Sequence, residues 1–157
     1  IYQFSKRLVE PINYLVVIFN PWLQNKLKSE KNFSIETFIQ KILLPLSFSL
    51  ILIYFIFGKN LILFLGNEDF IDSFEPMMIL LIGFVVYLLT FWIRQYLLFS
   101  NLIQFHAYGR IIYTLTFLVL VIILTSSYSA LGIAFSLSTA MTVQKIFEFT
   151  IYRKKIK

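Results

Sequence analysis

The chain has 157 residues, of which 59% are hydrophobic, 18% aromatic and only 14% charged, with a mean hydropathy of +0.79. A water-soluble domain of this length has no interior large enough to hide so much apolar surface, so its solvent is a bilayer. Fourteen Lys and Arg against eight Asp and Glu leave a formal charge of +6, but the basic residues sit at the ends of apolar segments instead of forming one patch, which argues against nucleic acid as a partner. The absence of Cys excludes disulfides, thiolate metal sites and Cys nucleophiles. Lys6, Arg7 and Glu10 precede any long apolar stretch, so the start does not have a signal-peptide pattern, and Ile1 in place of Met predicts a fragment of a longer chain.

In chain order, the segment from Tyr14 to Leu23 is apolar but short, and is expected to be the end of a helix cut by the chain start, within about 1–25; Pro21 is expected to kink or end it. Charge-free runs from Ile42 to Gly58 and from Pro76 to Ile93 each make a spanning helix once their uncharged flanks are added. The run from Ile111 to Gln144 carries no Asp, Glu, Lys, Arg or His. As one helix it would be roughly 50 Å long, well over the roughly 30 Å hydrocarbon core. It therefore predicts a hairpin turning at Ser126 to Ser129, before Gly132. The expected fold is all-α: a polytopic membrane bundle in a single domain, with four complete transmembrane helices at about 36–65, 74–101, 106–126 and 130–152 plus part of a fifth.

The linkers alternate in charge. Residues 24–41 are Lys-rich, with Lys26, Lys28, Lys31 and Lys41 against Glu30 and Glu36; 66–75 holds Glu68, Asp69, Asp72 and Glu75 with no Lys or Arg. Arg94, His106 and Arg110 then mark a basic turn, Ser126 to Ser129 a neutral one, and Arg153, Lys154, Lys155 and Lys157 a basic tail. By the positive-inside rule these lie in, out, in, out and in, with the C-terminus cytoplasmic. Asp72 and Glu75 have capping-box spacing, and Pro76 suits a first turn, so a helix is expected to start there. In the last helix Gly132, Ser136 and Ala140 recur every four residues, as do Ala130, Ala134, Ser138 and Thr142, a pattern that lets helix backbones approach closely.

Candidate functional residues are few. Gly83, Tyr87, Thr90, Arg94 and Asn101 share one face of a helix, and a polar face in lipid must meet protein or water. Either this face lines an aqueous cavity in which Arg94 contacts an anion, or Arg94 snorkels to the inner headgroups. Lys6 and Arg7 lie either near mid-bilayer, where charge is costly and functional, or at the outer interface, with Glu10 one turn away as a neutralising partner. The acidic residues 68–75 are what an outer loop carries, and Gln40, Ser47 and Tyr54 read as helix-contact polarity. His106 has no second His, Cys or adjacent carboxylate to form a metal site or catalytic dyad. No phosphate-cradling Gly loop or paired-carboxylate site occurs, so neither enzymatic chemistry nor a cofactor or metal is expected here.

Three stretches carry a resemblance. Phe19 to Leu23 with the Lys-rich linker, Leu63 to Leu81 with its Leu-Phe-Leu-Gly, acidic, Phe and then apolar order, and Tyr128 to Ala134 with Gly132 in a small-residue turn follow one another as in the C-terminal lobe of polysaccharide or O-antigen flippases. Those proteins belong to the multidrug/oligosaccharidyl-lipid/polysaccharide exporter superfamily. Ser129 stands where that family usually has a first Gly. The resemblance implies most of one lobe of a two-lobe, alternating-access transporter, the missing N-terminal lobe being supplied by the same chain, in a bacterial cytoplasmic (inner) membrane. Its substrate would be an undecaprenyl-diphosphate-linked oligosaccharide for surface polysaccharide or lipopolysaccharide synthesis, whose pyrophosphate needs cations. Arg94, Lys6 and Arg7, with Tyr87 and Thr90, are the candidate substrate contacts, on charge and placement and not on a fixed family motif. A multidrug extruder of the same architecture, a membrane-embedded polysaccharide polymerase and a non-transporting scaffold are the alternatives.

Overall fold

A computed structural model describes residues 1–29 and 34–156; Glu30, Lys31 and Lys157, which contribute to the charge pattern, lie outside the described residues. Among the described residues every regular element is helical, arranged as four helical segments. The first comprises α1 (Tyr2–Val9) and α2 (Pro11–Ser29). Pro11 has no N–H to give, so the helical ladder is interrupted at Glu10, whose backbone is still right-handed helical (φ −57°, ψ −31°). Of the two outcomes expected at Pro21, a kink or an end, the helix does not end; α2 runs through the proline to Ser29. There Leu23 is fully buried, and Gln95 bridges the two sides of the proline, donating to Asn20 Oδ1 (2.9 Å) and accepting from Gln24 Nε2 (3.0 Å).

The second segment starts at α3 (Ile35–Phe38), capped by Ser34 Oγ accepting from the Thr37 N–H at 3.3 Å. It passes through a π-helical turn, Ile39–Leu43, into α4 (Leu44–Gly66). The wider turn precedes Pro45, giving its ring room where a regular α-turn would crowd it against the Lys41 carbonyl four residues back. The third segment is a 3₁₀ turn, Glu68–Ser73, leading into α5 (Phe74–Phe99). The expected capping box does not form: the N-cap is Ser73, without a side-chain cap bond, because the 3₁₀ turn already carries the chain into the helix. α5 ends in a Schellman arrangement, with Asn101 left-handed (φ 56°) and the Leu102 N–H bonded to the Leu97 carbonyl at 2.8 Å.

The fourth segment is α6 (Ile103–Ile156), 54 residues in which Ser129 alone has non-helical angles (φ 47°, ψ −119°). The chain reverses there, so that residues near 106 and 148 meet. The expectation of four complete spanning helices plus part of a fifth is corrected. Among the described residues three stretches are long and apolar enough to cross a membrane: Ile35–Gly66, Glu68–Phe99 and Ile103–Lys155. The two last helices expected from the sequence are the two arms of α6, on either side of the non-helical Ser129, and together they make up one of the three stretches. The N-terminal segment is not among the three, its apolar run being diluted by Lys6, Arg7, Glu10 and the amides of α2.

α5 is the central helix. In its most apolar window 61% of residues are buried, against 11% in each of the other two stretches. It packs against α1, α2, α4 and α6. Large apolar side chains instead cover the outside, among them Phe48, Phe55, Phe57 and Phe64 on α4 and Ile122 and Ile123 on α6. Water would oppose such a surface and a bilayer accommodates it. The small-residue rows of α6 face the protein: Ala134, Ser136 and Ala140 are fully buried, and Ser138 donates to the Ile79 carbonyl of α5 at 2.7 Å.

Candidate functional site

The chemistry-bearing residues of three segments meet at one cavity of about 330 Å³. α2 contributes Asn13 and Asn20, seven residues apart and so on one face. α5 contributes Tyr87 and Arg94 with the same spacing. The first arm of α6 brings Arg110 and Tyr113, and its second arm Met141, Gln144 and Lys145. Three cations therefore border the space, and no acidic residue does among the described residues. Arg110 lies over the Tyr113 ring at 5.8 Å and Lys145 over the Tyr87 ring at 5.1 Å, so both cations rest on aromatic faces.

Behind this wall sits Glu148, fully buried. A carboxylate without water is tolerated only when its oxygens are satisfied. Lys145 Nζ donates to Oε2 at 2.7 Å; Gln144 Nε2 donates to Oε1 at 2.8 Å, and His106 Nδ1 stands 2.7 Å from the same oxygen. With a carboxylate as partner, the His106 proton belongs on Nδ1. Gly109 makes the space, since a Cβ there would meet Glu148 Oε1 at 3.1 Å.

The stripe seen on α5 divides by role. Tyr87 and Arg94 line the cavity; Gly83 lies against Ser138; Thr90 Oγ1 donates back to the Val86 carbonyl at 2.6 Å; Asn101 forms the helix C-terminus. Lys6 and Arg7 do not line the cavity. Their neighbours place them beside the acidic turn, for Ser5 Oγ donates to the Ser73 carbonyl at 2.9 Å and Phe4 packs on Phe70. His106 does have a carboxylate partner, 42 residues away in sequence, contrary to the expectation of none.

Arg110, Tyr113, Lys145, Asn13 and Asn20 were not singled out from the sequence as cavity residues. One signal for two of them was present: Arg110 and Lys145 bracket the charge-free run and stand about equidistant from its turn, so a hairpin must bring them to the same level. A larger cavity, about 600 Å³, lies between Phe74, Met78, Ile79, Leu124 and Phe135 and is almost entirely apolar. It lies toward the hairpin bend, away from the three cations.

Fold and site together describe an all-α bundle with apolar helices suited to a membrane and a cationic cavity among them. Comparison with family models, with curated proteins and with solved structures finds no match to this chain.

Proposed function

We propose that this chain is part of a membrane transporter, a flippase that carries undecaprenyl-diphosphate-linked oligosaccharides across a bacterial cytoplasmic membrane for surface polysaccharide synthesis. The observation that carries the proposal is the convergence of Arg94, Arg110 and Lys145 on one cavity within apolar helices. Charge set among apolar helices is expensive and is retained where it meets a polar cargo. A pyrophosphate needs several cations, and the amides of Asn13 and Asn20 on the same wall offer hydrogen bonds to a glycan. The resemblance of the three sequence stretches to flippases supports the same conclusion, as does the charge alternation that places the C-terminus in the cytoplasm. Transport by alternating access needs a second lobe, supplied by the rest of the protein.

The test uses the complete protein in cells that depend on it for surface polysaccharide. Arg94→Ala is expected to lower export at least about tenfold, the scale of loss when one charged partner of a desolvated anion is removed. Arg7→Ala, away from the cavity, should leave export unchanged. Normal export with Arg94→Ala would remove the cavity from the transport route. One observation favours a multidrug extruder of similar architecture instead: the wholly buried Glu148, a membrane-embedded acid of the kind cation coupling needs. Efflux of cationic dyes with unaltered polysaccharide would favour that alternative.

A further inference from the structure

We propose that Glu148 is a built-in counter-anion, holding the Lys145 ammonium while the cavity is empty and competing for it with any anionic group that enters. The inference rests on the anion-binding assignment of the cavity and concerns how that site is kept stable without its cargo.

Three positive groups facing one small space repel each other, and in a medium of low dielectric that repulsion is severe. Among the described residues neither Arg94 nor Arg110 has a carboxylate within ion-pair distance. Lys145 has one, one turn away on its own helix, at 2.7 Å. The geometry is asymmetric in a way that permits exchange. Lys145 borders the cavity, whereas Glu148 stands behind it and does not. The two oxygens of Glu148 are also divided between partners: Oε2 takes Lys145, while Oε1 takes His106 and Gln144. Withdrawing the ammonium therefore leaves the carboxylate with two donors and not stranded. The lysine stem is flexible and its ammonium is a point charge, able to turn from a carboxylate to a phosphate without the fixed fork an arginine requires. A ligand anion at the Arg94 and Arg110 end would draw it by the same attraction that Glu148 exerts.

The prediction has a sign that a purely structural Glu148 would not share. In the complete protein in detergent, calorimetric titration with inorganic pyrophosphate at fixed ionic strength is expected to show binding that Arg94→Ala weakens. Glu148→Gln keeps the shape and removes the competitor, so it should bind pyrophosphate about three- to tenfold more tightly. Combined with Lys145→Gln, that gain should vanish. Should Glu148→Gln fail to fold, Glu148→Asp retracts the carboxylate by one methylene and should give a smaller gain in the same direction. Wild type that binds no pyrophosphate overturns the anion-binding assignment and the counter-anion with it. Wild type that binds, with Glu148 variants unchanged or weaker, overturns the counter-anion alone. So does a gain that persists without Lys145, since Glu148 would then act through the general field of the cavity.

Discussion

Gly83 decides how closely α5 and α6 approach. A Cβ built there would lie 2.8 Å from the Ser138 Cα and 2.9 Å from its Cβ, distances that side-chain rotation cannot relieve. The bond from Ser138 to the Ile79 carbonyl spans the same contact. Gly83→Leu is therefore expected to destabilise the protein by about 1–3 kcal/mol, the usual penalty for forcing volume into a packed interface. Gly58 is the control: a Cβ there would meet side-chain ends only, the Met77 terminal methyl at 2.7 Å and the Phe74 ring edge at 3.0 Å, and no backbone, so Gly58→Ala should have a smaller effect. Thermal unfolding in detergent reads both, and equal melting temperatures for Gly83→Leu and wild type would remove the close contact from the packing account. Residue roles of this kind were only partly legible. The helical stripe picked out Tyr87 and Arg94 for the cavity, but Gly83 and Thr90 on the same stripe serve packing and the helix's own backbone. Spacing along one helix reports a shared face and not what that face meets.

At the scale of elements, the bend at Ser129 is the point most open to a test. Its angles, φ 47° and ψ −119°, fall where a Cβ is unfavourable and Gly is not. Ser129→Gly is expected to raise stability by about 1 kcal/mol and Ser129→Val to lower it by at least as much, again measured by thermal unfolding. A stability loss on Ser129→Gly would mean that the serine side chain itself holds the turn. Gly132 is needed close by for a different reason: a Cβ would meet the Leu124 carbonyl oxygen at 2.5 Å, backbone against side chain at the neck of the hairpin. The turn was legible because small polar residues interrupt a long apolar run. The continuation of α2 through Pro21 and the uncapped start of α5 were not. Both depend on contacts from elsewhere, the Gln95 amide in one case and the preceding 3₁₀ turn in the other.

For the whole molecule, the charge alternation predicts a single orientation. The chain has no Cys, so single cysteines report without background from this segment. Ser127→Cys, at the hairpin bend, is expected to react with a membrane-impermeant maleimide added outside intact cells, and Lys154→Cys only after the membrane is opened. The reverse pattern would invert the topology and place the cationic cavity toward the other face.

Periodicity, charge-free length and the sign of each linker are local properties, and they were enough to predict apolar helices suited to a membrane, with helix as the regular structure of the described residues and a reversal near Ser129. They did not establish how many stretches qualify as spans, because two helices can join through a single bent residue without a loop and an N-terminal segment can pack as a helix without being apolar enough to cross. Nor did they bring Arg94 to Arg110 and Lys145, or His106 to Glu148. Those meetings join positions some 16 to 51 residues apart, and depend on how each helix is rotated and how near it stands to its neighbours. Small residues such as Gly83 and Gly109 set that rotation and approach through packing, which exists only once the helices are assembled.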